Sequence, residues 1–226
     1  MEIMPYFLIV FLVTLAISMW GSRRFRRIYD EEIENTLHSR ITGAELVRQI
    51  LDLHDITDVE VVKGRGLLRD FYDPSKRRLV LSPQHYGGSS FSGLGVAAHE
   101  AGHVIQHVEG HRPLLWRVSA VKATVFFSLP LLVFGFLCVI IGMKSLGVMI
   151  LTLAWPLMAL SNILTIPVEL DASQRVKKRL KKLQVFGNLD ERVGVERVMD
   201  AASANYLDGI FSALSWLRSL IPTLPR

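Results

Sequence analysis

Val96-Ala97-Ala98-His99-Glu100-Ala101-Gly102-His103-Val104-Ile105 is the stretch that decides how this chain is read. Apart from Glu100 and the two histidines, every residue in it is apolar and small or aliphatic. The run reads as helix. On a helix, positions i and i+4 share a face, so His99 and His103 aim two imidazoles at one point. Glu100 follows the first histidine, where a carboxylate can polarise a metal-bound water. Two imidazoles make an incomplete zinc site, so a third protein ligand has to come from elsewhere. Uncharged flanks suit a metal helix, because a charge there would be buried beside the ion. The small pair Ala101-Gly102 lets another element pack closely over it. His107 lies one turn further along the same face. It is too far along the axis for the same ion and reads as a supporting or surface residue.

The chain has 226 residues, of which 50% are hydrophobic, and its mean hydropathy is +0.32. That is more apolar than an ordinary soluble domain. Three runs carry no charge: Ile3–Trp20, Ala123–Met143 and Ser145–Val168. Each is read as a helix crossing a hydrocarbon core of about 30 Å. Met1-Glu2 has no basic residue and no small-x-small cleavage signal follows the first run, which reads as a retained anchor. The formal net charge is +5 and the pI about 9.5. The basic residues cluster beside the uncharged runs, as in Arg23-Arg24-Phe25-Arg26-Arg27 and Arg175-Val176-Lys177-Lys178-Arg179-Leu180-Lys181-Lys182. A membrane boundary accounts for that excess, and no nucleic acid is implied. The one cysteine, Cys138, sits in the second run and supplies neither a disulfide nor a zinc ligand.

Excess positive charge marks the cytoplasmic side. The N-terminus is then outside, and the segment from Arg23 to Lys122 is cytoplasmic. Gly142-Met143-Lys144-Ser145 is a short external turn. The tail from Pro167 to Arg226 returns to the side that holds the two histidines.

Three places offer a third ligand. A metzincin pattern needs Gly at position 106 and His at 109, where this chain has Gln106 and Glu109. A site-2-type intramembrane protease takes an aspartate from a later Leu-Asp-Gly, and Leu207-Asp208-Gly209 is present. Gln106, His107 and Glu109 make the histidine helix too polar for a clean span, however, and the Asn-Pro elements expected before that aspartate are missing. The third candidate is Glu169, in Ile166-Pro167-Val168-Glu169-Leu170-Asp171-Ala172-Ser173. It follows the third uncharged run and would complete a His₂Glu site with one position open for water. Asp171, two residues on, can accept an N–H from a ligating imidazole and fix its tautomer. Zinc, one ion per chain, is the cofactor these ligand types suggest, although other divalent ions accept the same donors.

The block Val96 to His107, together with Pro167-Val168-Glu169-Leu170-Asp171-Ala172-Ser173, resembles the YugP-like neutral zinc metallopeptidases. Gly66-Leu67-Leu68-Arg69-Asp70-Phe71-Tyr72-Asp73-Pro74, ahead of Leu81-Ser82, resembles a further motif of that family, with Phe71 where the family pattern has histidine. The likeness covers most of the chain from about Arg40 to Ser173. More distantly, the layout is similar to that of the CAAX prenyl proteases. In those, an aspartate stands four residues after the glutamate ligand; that position here is Ser173. The resemblance implies a bacterial plasma-membrane protein that hydrolyses protein or peptide substrates. Its implied fold class is a mainly α membrane protein with three transmembrane helices and a cytoplasmic gluzincin-like α+β metallopeptidase domain containing a small antiparallel sheet. The implied division is an anchor at 1–22, a metallopeptidase part at 23–122, a transmembrane hairpin at 123–168 and a helical tail at 169–226. His99, His103 and Glu169 would bind zinc and Glu100 would be the general base. The rivals are the site-2-type reading through Asp208 and a non-catalytic zinc-containing membrane scaffold. Partners other than substrate and lipid bilayer, including a second copy of the chain, are left open.

The remaining sequence supplies the scaffold. Thr42-Gly43-Ala44-Glu45 reads as a capping box opening a helix to about Leu53. Val59–Lys63, Leu67–Tyr72 and Arg78–Leu81 have strand character, with Asp73-Pro74-Ser75 a turn. Arg78–Ser82 resembles the edge strand that pairs with extended substrate in gluzincins; the alternative is a sheet that serves only as scaffold. Gly87-Gly88-Ser89-Ser90 connects the sheet to the metal helix. Past Gly187 the tail reads as two helices, and Tyr206 is a candidate oxyanion donor.

Overall fold

The computed structural model describes residues 3–65 and 70–204. In chain order the elements are α1 (Ile3–Glu32), α2 (Gly43–Asp52), β1 (Glu60–Lys63), β2 (Phe71–Asp73), β3 (Arg78–Leu81), α3 (Pro83–Gly87), α4 (Phe91–Val108), α5 (Arg112–Ile140), α6 (Lys144–Leu180) and α7 (Leu189–Ser203). The chain divides into two compact units. Among the described residues, one gathers the chain up to Ser22 with Trp116–Thr165; the other gathers Arg23–Leu115 with the chain from Ile166 to Ala204.

Local chemistry sets several boundaries of the second unit. The Thr42 hydroxyl accepts from the Glu45 N–H while the Glu45 carboxylate accepts from the Thr42 N–H, the reciprocal box that starts α2. Ser90 caps α4 by accepting from the Gly93 N–H, and Asn188 caps α7 by accepting from the Glu191 N–H. Between β2 and β3, Asp73 Oδ1 accepts from the N–H groups of Ser75 and Lys76, which closes the turn.

α4 is the centre of this unit. Nearly every residue from Ser92 to Gln106 is buried, so the helix is enclosed on most of its circumference rather than along one stripe. Its Leu94, Ala97, Val104 and Ile105 share a core with Leu46 and Ile50 of α2, Leu79 and Leu81 of β3, and Val176 and Met199 of α6 and α7. Two glycines set the closest approaches. A Cβ on Gly95 would lie 2.6 Å from the Val198 Cβ of α7, and one on Gly102 would lie 2.4 Å from the Ala172 carbonyl oxygen of α6. Both helices therefore reach α4 at distances that a side chain would forbid.

Three sequence-based expectations are corrected. Among the described residues no helix is long and apolar enough to cross a membrane, so three transmembrane helices do not describe this fold. The second uncharged run loses its last residues to the turn at Ile141–Met143. α1 carries its uncharged portion on through four arginines to Glu32, and α6 continues through the basic stretch to Leu180.

The sheet is mixed rather than antiparallel. Its order is β1-β3-β2, with β1 parallel to β3 and β2 antiparallel to it. Arg78–Leu81 is thus the central strand. Both of its edges are hydrogen-bonded within the protein, and it cannot add an extended substrate as an edge strand. Strand alternation marked the segments but carried no information about which of them would be sandwiched.

Candidate metal centre

α4 presents His99 and His103 one turn apart, with their rings edge to face at a centroid separation of 4.9 Å. They are 5% and 7% exposed. α6 crosses α4 at Gly102, and that contact delivers Glu169 to the pair. Glu169 Oε2 lies 2.9 Å from His99 Nε2 and 3.4 Å from His103 Nε2. The candidate ligand atoms of the three residues all fall within 4.8 Å of one another. Two ligands at about 2.05 Å from a tetrahedral zinc ion stand roughly 3.3 Å apart. Glu169 stands near that spacing from both imidazoles, and two imidazole nitrogens with one carboxylate oxygen, buried and gathered within 4.8 Å, fit a borderline divalent cation.

The outward nitrogen of each imidazole is also held. His99 Nδ1 is 2.8 Å from Ser173 Oγ, one turn beyond Glu169 on α6. Ser173 Oγ in turn lies 2.6 Å from Ser203 Oγ of α7. The Ser203 hydroxyl donates to the Met199 carbonyl at 2.9 Å. His103 Nδ1 is 3.0 Å from Gln106 Oε1. The Gln106 amide nitrogen donates to the Val168 carbonyl at 2.8 Å and to Asp171 Oδ2 at 2.7 Å. Asp171 therefore meets the histidine pair through Gln106 rather than by accepting from an imidazole itself. Its second partner is Arg175, which also pairs with Glu109. Glu100, half-buried, follows His99 directly.

Gln106, Ser173 and Ser203 escaped the sequence reading as partners of the histidines. Two of them had a usable signal. Gln106 is three residues after His103, and Ser173 is four after Glu169, so each shares a helix face with a candidate ligand. Ser203 had none, because only the packing of α7 brings it in. Tyr206 and Asp208 lie outside the described residues.

A second buried cluster lies at the N-terminal end of α4. The Tyr29 hydroxyl is 2.6 Å from His85 Nε2, and His85 Nδ1 is 2.7 Å from Asp70 Oδ2. Burial, with the nearby Asp70 charge, pushes the Tyr29 phenol up. It stays protonated and joins α1 to α3 as a hydrogen-bond donor rather than serving as a nucleophile.

A buried His-His-Glu group on two crossing helices is a donor set that could hold a metal ion, of the kind zinc hydrolases use. The comparison with known sequences narrows this. Residues 7–224 match the family described as "Putative neutral zinc metallopeptidase", and the chain belongs to that family. It is 33% identical over 204 residues to "Putative membrane protease YugP" of Bacillus subtilis (strain 168), an alignment covering 89% of this chain and 88% of that protein. No solved structure matches the chain at a significant level.

Proposed function

We propose that this chain is a zinc-dependent endopeptidase of the His-Glu-x-x-His…Glu type. The carrying observation is the convergence of His99, His103 and Glu169 at one buried point, with Glu100 beside the first of them. His99, His103 and Glu169 would hold one zinc ion, which when bound lowers the pKa of water toward about 7 and polarises a carbonyl. Glu100 takes the proton from the attacking water and hands it to the leaving amine, so the peptide C–N bond breaks without free acid or base.

The test keeps metal binding and chemistry apart. Glu100→Gln is expected to retain stoichiometric zinc while losing about 10²–10⁴-fold in hydrolysis of a denatured protein. Full activity in the zinc-loaded variant would defeat the mechanism. Metal analysis of Glu169→Ala beside Asp208→Ala separates this reading from the site-2-type one: only the first should lose zinc.

A bilayer surface is the proposed partner of the first unit. In α5, the side chains of Phe126, Phe127, Phe134, Phe136, Leu137 and Ile140 are exposed at 50% or more. Exposed apolar patches of this kind mark lipid or protein contacts. The Bacillus subtilis relative's designation as a membrane protease supports the lipid choice.

A further inference from the structure

The hydrogens around the two histidines can be placed by counting. Met199 O can only accept, and each serine hydroxyl has one hydrogen to give. The three contacts His99 Nδ1–Ser173 Oγ, Ser173 Oγ–Ser203 Oγ and Ser203 Oγ–Met199 O measure 2.8, 2.6 and 2.9 Å. If Ser173 donated to His99, Ser203 would have to donate to Ser173. The contact of Ser203 with the Met199 carbonyl would then bring two acceptors together with no hydrogen between them. Only one direction makes all three contacts hydrogen bonds: His99 Nδ1–H to Ser173, Ser173 to Ser203, Ser203 to Met199 O. At His103 the argument rests on the amide. The Gln106 NH₂ group faces two acceptors, Val168 O and Asp171 Oδ2, so its oxygen must face His103. That oxygen accepts a hydrogen bond, and His103 Nδ1 must supply the hydrogen.

We infer that Gln106, Ser173 and Ser203 are positioning residues that hold His99 and His103 with hydrogen on Nδ1, leaving both Nε2 lone pairs for the metal. This rests on the proposed zinc site and extends it. All three side chains are at most 1% exposed, so water cannot easily replace them. Glu169 faces the Nε2 atoms, whereas on the Nδ1 side of His103 the carboxylate of Asp171 acts one residue removed, through Gln106. It also makes α7 part of the metal site, because the chain of hydroxyls ends on a carbonyl of that helix.

The order of the chain sets a graded expectation for zinc affinity, measured on the full-length protein by competition with a chelator. Ser173→Ala and Gln106→Met are expected to weaken zinc binding about 10–100-fold. Ser203→Ala should cost less, because the Ser173 hydroxyl can turn to the Met199 carbonyl, 3.2 Å away. Thermal melts of the metal-free proteins provide the readout that a merely structural role would move, and they should stay close to the parent. In the zinc-loaded parent, nitrogen-correlated NMR should show two slowly exchanging imidazole Nδ1–H protons. The His99 proton should exchange fast in Ser173→Ala and the His103 proton in Gln106→Met. Zinc bound by the parent and within twofold as tightly by Ser173→Ala and Gln106→Met would overturn this inference alone. A parent that binds no zinc would overturn both it and the proposed function.

Discussion

Gly102 shows how much one missing side chain decides. A glycine inside a helix costs about 1 kcal/mol relative to alanine, and on propensity alone Gly102→Ala should stabilise α4. The structure argues the opposite sign. The added Cβ would meet the Ala172 carbonyl oxygen at 2.4 Å and its carbon at 2.7 Å, which are backbone atoms that cannot rotate aside. α6 would have to withdraw, taking Glu169 and Ser173 with it. Gly102→Ala is expected to destabilise the protein by about 1–3 kcal/mol, read from a denaturant melt, and to weaken zinc binding in parallel. A more stable variant with unchanged metal affinity would show that the close approach is unimportant.

At the scale of elements, the tie between β2 and α4 predicts a pH dependence. Tyr72 Oη lies 2.8 Å from His107 Nδ1. Burial, reinforced by Asp73, pushes the Tyr72 phenol up to about 12, so it keeps its proton and donates. Burial and then Arg77 hold His107 below the ordinary imidazole value of 6.5, and burial with Arg179 and Arg175 does the same to His54. Both histidines bind a proton more readily when unfolded. Their contribution to stability is therefore intact above about pH 6.5 and is lost as pH falls below it. Unfolding at pH 7 and pH 5 should show that loss, and His107→Gln should reduce it. The Tyr72 contribution runs the other way, present below its unfolded value near 10 and lost as pH rises toward 12. The start of α2 supplies a contrast. Thr42→Ala removes the cap and should cost about 1 kcal/mol of stability. Zinc affinity should not change, since α2 contributes no residue to the site.

On the scale of the whole molecule, α4, α6 and α7 meet at one buried point, which makes metal occupancy and folding a single equilibrium. Zinc that binds only the folded chain stabilises it by about 4 kcal/mol when free metal exceeds Kd a thousandfold. Chelation of the zinc-loaded protein should lower Tm by several degrees, and Glu169→Ala should melt at one temperature with or without zinc. A chelator-insensitive parent Tm would contradict a site that joins these helices.

Much of the centre could be read from the chain because its geometry is local. His99, Glu100 and His103 lie within one helical turn, and the spacing alone places both imidazoles on one face. The capping box at Thr42 and the turn at Asp73 are equally short-range, and both formed. Glu169 was reachable from its position in the chain, and the tertiary contact at Gly102 is what brings its carboxylate to the histidines. Other matters depended on residues far apart in sequence. Which strand is central, which hydroxyl follows Ser173, and that Asp171 works through Gln106 follow from how α6 and α7 pack on α4. Uncharged runs were a poor guide to membrane spans, because the absence of charge in a stretch does not by itself make a spanning helix. Sequence by itself determined the chemistry available, two imidazoles with one carboxylate beside them in the same helix and another further along the chain. Tertiary structure decided which atoms of those groups face one another, because hydrogen-bond direction and close approach are properties of packed helices rather than of a linear pattern.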